Sequence, residues 1–531
     1  MTLHADHASS YPGIVPPAGT RQFNHPVVQL IISAVVLGFL ISTFMPPLIW
    51  SGNEEHYLML SYRRFAPEGF TSNSVVFHDT TKARFLADFF MGSIVSPFDY
   101  ETAHTLLLIF MSLAYGITVA YLFYVLGLTL SQGIILLYIF QAIEPRVTMG
   151  GEWLFRGVES KTMAYAAVIT ALAATLEGRW RLALACAVLA TYLHFLVGGF
   201  WFGVLLFVYF YLHQDIRNAM MFGGIYAACV FPQLILLISE QVSGAPLRSI
   251  DGLTADYIYS IIRNPHHVAP FRSEQAFWAD WALPILATVV CASACSQLLK
   301  IVKGPRARAL VMAVLGVCAY LLLALIVSYF DRETGVFGKF VPFRPAAFGF
   351  FLFLVAAWLA IKESTSIPAW AAAFVTPVAI FLLGSSLLSA INETKEALAH
   401  EQEVQLSLEP VAAKLAASAA DAVVLIDPKL DSEQYTNLPR LLRHPTLVGR
   451  KFMPSTRAAI IRWRDLMSFR KHLFSRGCTS PMQHQVDFIL VSMVNRPAAE
   501  IQTIADTCGK AVVTTERYLL VRVAKKLKPD S

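Results

Sequence analysis

The sequence predicts a polytopic α-helical membrane protein with about 11 transmembrane helices and a small C-terminal α/β soluble domain. Three observations carry this. Of 531 residues, 56% are hydrophobic and 15% charged, with a mean hydropathy of +0.55; ordinary soluble domains hold about 45–50% apolar and about 25% charged residues. Apolar runs of spanning length recur up to residue 391 and then stop. The charge is also uneven: residues 393–531 hold 20 Lys and Arg against 15 Asp and Glu, so most of the net +6 sits beyond the last apolar run. This composition excludes a disordered chain, a collagen and a disulfide scaffold, and leaves little room for a large soluble enzyme.

The elements follow in order. Residues 1–26 form a polar leader, expected on the cytoplasmic side. Residues 27–392 form the membrane domain, because a transmembrane helix needs roughly 20 mostly apolar residues. Eleven spans are predicted, at 27–44, 104–126, 131–143, 161–176, 181–197, 200–212, 219–239, 281–299, 309–329, 346–361 and 368–391. The third and sixth are short enough to be re-entrant. The first ends at Met45-Pro46-Pro47 without a small-residue cleavage site, so it reads as an anchor and not a removed signal.

Short-loop basic residues set the orientation. Lys300, Lys303, Arg306 and Arg308 mark one loop; Arg179 with Arg181, Arg217 and Lys362 mark three others. With eleven spans and the N-terminus inside, all four are cytoplasmic. Loops 51–103, 144–160, 240–280 and 330–344 then face outward, as does the 393–531 region. In that region, runs at 422–426, 486–491, 511–514 and 518–523 read as strands, and 456–474 and 498–508 as helices, giving a small, partly parallel sheet. A helix at 393–420 is expected to lead out of the last span. Five cysteines lie in apolar stretches and read as small filler. Cys478 and Cys508 can pair only in an oxidising compartment.

The outer loops hold the polar residues that need a reason. Glu54 and Glu55 directly follow the first span, where a carboxylate can act as general base toward a hydroxyl at the interface; a solvated loop start is the plainer reading. Asp79, further along the same loop, is the third candidate catalytic carboxylate. Residues 83–94 suit an interfacial amphipathic helix carrying Arg84 and Asp88. The second outer loop packs Glu152, Arg156, Glu159 and Lys161 between two spans, either as an ion-pair knot or as a polar cavity. His194 ends an apolar run and suits a helix–helix hydrogen bond.

Arg263-Asn264-Pro265-His266-His267-Val268-Ala269-Pro270 holds one Arg and two His between prolines. Such donors suit phosphate oxygens, although an ordered loop is the alternative. Metal-ligand spacing is absent there. Arg344 sits at the outer mouth of the tenth span, either snorkelling or contacting phosphate. A carboxylate opposite a set of cations is what transfer from a lipid phosphate requires.

At this point the chain resembles the glycosyltransferase-C superfold, membrane enzymes that use polyprenyl-phosphate or polyprenyl-diphosphate sugars. The shared pattern is a first span, a large outer loop with an acidic motif, many spans and a C-terminal soluble domain. A closer resemblance is to an uncharacterised bacterial membrane family. It rests on Asn53-Glu54-x-x-Tyr57-Leu58, Glu159-Ser160-Lys161, His194, Arg263-x-Pro265-His266-His267-x-x-Pro270, Pro342-Phe343-Arg344, Asp421 to Ile426, and Arg450-Lys451-Phe452-x-Pro454.

The resemblance implies a bacterial inner-membrane protein whose C-terminal domain is periplasmic. Its donor would be a polyprenyl-phosphate sugar and its acceptor a glycan, lipid or protein, with no nucleic-acid partner. It implies Glu54 as catalytic acid position with Glu55 as nearest substitute. The donor phosphate would fall to Arg263, His266, His267 and Arg344, with Arg156 and Lys161 lining the pocket. No bound cofactor is implied, and a divalent metal is neither required nor excluded. A transporter or flippase for an anionic or lipid-linked substrate, and a non-catalytic sensor, are the competing readings. Transporters show related halves and broken midplane helices, which this sequence lacks.

Overall fold

A computed structural model of the protein describes residues 26–45, 52–65, 81–242, 248–364, 369–431, 437–478 and 486–524. Asp79 lies outside the described residues.

Among the described residues, eight helices are long and apolar enough to cross a membrane. They are α1 (Pro26–Thr43), α4 (Tyr100–Val125), α8 (Phe195–His213), α9 (Ile216–Val242), α13 (Ala282–Ile301), α14 (Pro305–Phe330), α15 (Ala346–Ser364) and α16 (Ala369–Ala416). Between them lie α5 (Leu130–Val147), α6 (Ser160–Glu177) and α7 (Trp180–Leu193), and the short α10 (Ala255–Tyr257), α11 (Pro265–Val268) and α12 (Glu274–Ala276). The run expected at 200–212 is thus one of the eight. The run at 131–143 extends to Val147, because the helix continues through Glu144, Pro145 and Arg146.

Small residues set the packing. Gly38 of α1 and Gly116 of α4 meet backbone to backbone: a Cβ on Gly116 would lie 2.1 Å from the Ala34 carbonyl oxygen. Close backbone approach of this kind is how apolar helices gain packing energy where lipid offers no hydrophobic drive. Helix α6 is alanine-rich and buried along nearly its whole length, with α4, α7 and α8 packed around it.

Two shorter helices lie between α1 and α4: α2 (Gly52–Arg63) and α3 (Phe85–Val95). Helix α3 is amphipathic in an inverted sense. Asp88 is buried and ion-paired to Arg64 at 3.1 Å and to Arg84 at 3.4 Å, while Phe85 and Phe89 are exposed. The polar face therefore serves the protein interior.

The short basic loops gather at one end. Lys362 Nζ donates to the Gly127 carbonyl at 2.7 Å, Arg306 Nη1 to the Val125 carbonyl at 3.1 Å, and the Lys303 amide to Glu363 at 2.5 Å. Val125 closes α4, whereas His104 near its start touches the Glu54 carboxylate. At 1.5 Å rise per residue, these two ends of α4 are roughly 30 Å apart, about one hydrocarbon thickness.

Helix α16 runs unbroken for 48 residues into the C-terminal region. There a four-stranded sheet has the order β1-β2-β4-β3: β1 (Val424–Ile426) pairs parallel to β2 (Phe488–Ser492), and β3 (Gly509–Thr514) and β4 (Tyr518–Val523) complete it antiparallel. All four strands fall on the apolar runs read from sequence. One face packs on α18 (Arg457–Arg476) and α19 (Ala498–Cys508), the other on the end of α16 through Val404, Leu408 and Val411. A disulfide joins Cys478 to Cys508.

Candidate functional site

The end of the bundle opposite the basic loops gathers most of the predicted polar residues into one buried network. It begins at α2, whose first turn presents Glu54 and Glu55 on different sides. Glu54 Oε1 accepts from His104 Nε2 at 2.9 Å and from the Val158 amide at 2.7 Å. This close approach explains Gly157: its φ is +67°, and a Cβ there would lie 3.0 Å from the Glu54 carboxyl carbon. A side chain would be strained in backbone and crowded by the carboxylate at once.

Glu55 points elsewhere. It accepts from Arg440 Nε at 2.9 Å, and the same guanidinium reaches Glu101 at 2.5 Å and Glu401 at 2.7 Å. Arg440 lies on α17 (Leu438–Leu442) of the C-terminal region. Glu55 is therefore a docking residue, joining α2, α4 and α16 to that region through one cation. Burial lifts its carboxyl to about 7 against the pull of Arg440.

The second outer loop supplies the next links. Asn53 Nδ2 donates to Glu159 Oε1 at 3.0 Å. Lys161 Nζ lies 3.1 Å from Glu152 and 3.9 Å from Glu159, and 3.3 Å from the centre of the Trp153 ring. Glu159 is the N-cap of α6, exchanging hydrogen bonds with Thr162. Its Oε2 is buried without a hydrogen-bond donor among the described residues. Burial raises its carboxyl, with Glu54 and Glu152 adding to the rise against Lys161 and Asn53. Glu152 behaves oppositely. Burial pushes it up, but Lys161, Arg344 and His267 together hold it near 2.

The proline-bracketed segment reaches this network through His267. Its Nδ1 lies 2.5 Å from the Gly150 carbonyl oxygen and 4.0 Å from Glu152. Gly150 has φ +71°, and a Cβ on it would meet the His267 backbone at 2.8 Å. Burial, with His266 and Lys161, lowers His267 to about 3 despite Glu152, so the ring is neutral at pH 7. The His266 ring lies 4.1 Å from that of His267, centre to centre, with the planes tilted by 44°, and His266 is exposed. Arg263 Nη2 donates to the Lys451 carbonyl of the C-terminal region at 3.4 Å. Arg156 stands apart, half-exposed and 3.9 Å from Glu144.

Arg344 closes the other side. Its Nη1 donates to His194 Nε2 at 2.5 Å, and its carbonyl accepts from the Tyr165 hydroxyl at 2.6 Å. Since guanidinium only donates, His194 must present a lone pair at Nε2. Arg344 Nε is buried with no partner among the described residues. Beside it lies a cavity of about 230 Å³ with walls from Phe195, Phe200, Trp201, Tyr320, Phe340 and Pro345, ended by Tyr165 and Arg344.

Glu54, Glu159, Lys161, His194, His267 and Arg344 thus belong to one network at this end of the bundle, with Arg263 and His266 at its edge. The sequence placed Glu152 in the polar loop after α5 without giving it a site role, and did not single out His104, for which a lone histidine opening a span was the available signal. Among the described residues, no group of three or more His, Cys, Asp or Glu side chains is placed to hold a metal ion. No protein-family model and no curated protein matches the chain.

Proposed function

We propose that the protein is a glycosyltransferase that moves a sugar from a polyprenyl-phosphate donor to an acceptor at the outer face of the inner membrane. In this reading α5, α6 and α7 also span, giving eleven, and the C-terminal region lies in the periplasm. The observation that carries the proposal is the apolar cavity ended by Arg344, next to a buried carboxylate network. Aromatic and aliphatic walls suit a lipid chain, and a guanidinium with an unused buried N–H suits its phosphate.

The chemistry follows from the placement. Glu159, with its open and less acidic carboxylate, accepts the acceptor hydroxyl's proton, and Glu54 holds the loop that positions it. The acceptor oxygen bonds to the sugar C1 as the bond from C1 to the phosphate oxygen breaks. The electron pair leaves with the lipid phosphate, whose charge Arg344 stabilises. Attack opposite the leaving group inverts the anomeric centre.

The test is the purified protein in nanodiscs with polyprenyl-phosphate sugars. Transfer by the wild type, with a loss of about a hundredfold or more in Glu159→Gln and Glu54→Gln, is the expected result. Absence of transfer with every donor tried would replace this reading with the transporter or the sensor.

A further inference from the structure

The C-terminal region holds a cavity that the proposed transfer does not use. It lies at the carboxyl end of β1, where Ile426, Asp431, Pro439, Val448 and Arg450 wall it together with Arg470 of α18. Strand β1 runs parallel to β2, and the carboxyl ends of parallel strands are where open sheets present ligands. The cavity measures about 30 Å³. A water-sized atom needs ~10–15 Å³, so the space suits the paired oxygens of a carboxylate and is small for a phosphate.

Arg470 gives this cavity its chemistry. The residue is 6% or less accessible by any measure of its setting: only 1% of it is exposed. Its Nε donates to the Ile426 carbonyl at 2.6 Å, and its Nη1 to the two Asp431 oxygens at 2.8 and 3.0 Å. Both acceptors belong to cavity-wall residues, so the guanidinium plane is fixed against the cavity. Asp431 pairs the charge of Arg470. The Nη2 is left over: it is buried with no hydrogen-bond partner among the described residues. A buried donor without a partner costs free energy, which a ligand oxygen in the cavity recovers. Arg450 lines the same cavity and is exposed, which places a second cation at its opening. With Asp431 already engaged by Nη1, the donors left for a ligand are both cationic, and they favour an anionic oxygen over a neutral one.

We propose that this cavity binds the carboxylate of a small organic acid, with Arg470 Nη2 as its inner donor and Arg450 as the cation at its opening. The stretches that wall it also hold the C-terminal region on the membrane portion. Pro439 precedes Arg440, which binds Glu55 and Glu101. Just beyond Arg450, the Lys451 carbonyl accepts from Arg263, and the Phe452 ring lies parallel to that of His56, with centres 5.8 Å apart. A bound acid therefore braces the same stretches that make the docking contacts. The site is separate from the Arg344 end and stands whether or not glycosyl transfer is the reaction.

The test uses the full-length protein in nanodiscs of neutral phosphatidylcholine, with radiolabelled succinate in equilibrium dialysis. Saturable binding at one per chain is expected, abolished in Arg470→Lys, which keeps the charge and removes the Nη2 donor. Because Arg470 is buried and its variant could fail to fold, two milder changes carry the test as well. Val448→Ile adds one methylene to the cavity wall and should weaken binding about tenfold. Arg450→Gln alters an exposed side chain and should weaken it severalfold. Both should keep the thermal midpoint of the wild type, and Arg344→Gln should bind succinate as the wild type does. Unlabelled succinamide and inorganic phosphate serve as competitors, and each should displace the label at least tenfold less well than succinate. Absence of succinate binding, binding unchanged in both Val448→Ile and Arg450→Gln, or displacement by succinamide or phosphate as effective as by succinate overturns the site.

Discussion

Lys161 serves two buried carboxylates and an aromatic ring at once, so its removal is more damaging than the loss of one ion pair. Lys161→Met leaves Glu152 and Glu159 buried without their cation, and uncompensated buried charge costs about 3–5 kcal/mol. A large fall in the thermal midpoint is expected, recovered in part by adding Glu152→Gln. Glu55 makes a prediction of the opposite sense. Its folded carboxyl titrates near 7, above the usual 4.5, because burial outweighs Arg440. The folded state therefore binds the proton more tightly than the unfolded chain. That contribution to stability is complete below pH 4.5 and is lost as pH rises through 7. Thermal midpoints measured from pH 8 to pH 5 should show wild type gaining on Glu55→Gln as the medium is acidified. Arg440→Ala, by contrast, leaves Glu55 buried and unpaired beside Glu101 and Glu401 and should destabilise at pH 7.5. The two acidic residues after the first span were legible in sequence; their division of labour was not. Nothing in the pair Glu54-Glu55 says that adjacent positions on a helix point about 100° apart, one toward His104 and the other toward a cation 385 positions away.

At the scale of elements, the loop between α5 and α6 is the part most constrained by its own backbone. Gly157 has a positive φ with the Glu54 carboxylate over its Cα, so Gly157→Ala carries both strain and crowding. It should cost about 1–3 kcal/mol, read as lowered thermal stability. Restoring space with Glu54→Ala should relieve only the crowding. The spans themselves were legible because hydropathy reports length and apolarity directly. What it does not report is which face is inward. Residues 83–94 read as an amphipathic interfacial helix; α3 is a helix there, and its polar side is buried because Asp88 finds Arg64 and Arg84. The C-terminal strands were legible for a different reason: short apolar runs bounded by turn residues have few other uses. Their order β1-β2-β4-β3 depends on long-range pairing that no local pattern encodes.

For the whole molecule, the distribution of charge becomes a statement about sidedness. The basic loops around Lys303, Arg306 and Lys362 cluster at one end of the bundle, and the carboxylate network with the C-terminal region lies at the other. Short basic loops are retained on the cytoplasmic side, and the proposed orientation accordingly puts the network outside. The Cys478–Cys508 disulfide favours the same proposed placement, since such bonds persist in oxidising compartments. These two arguments are independent, one resting on insertion and the other on redox chemistry. They make a joint prediction for single cysteines introduced into a background lacking Cys229. In intact spheroplasts, Glu516→Cys, on an exposed turn beside β4, should react with a membrane-impermeant maleimide. Lys303→Cys should react only after the membrane is opened. If Lys303→Cys is labelled in sealed cells and Glu516→Cys is protected, the orientation is inverted. The proposed transfer would then have to draw its donor from the cytoplasmic leaflet.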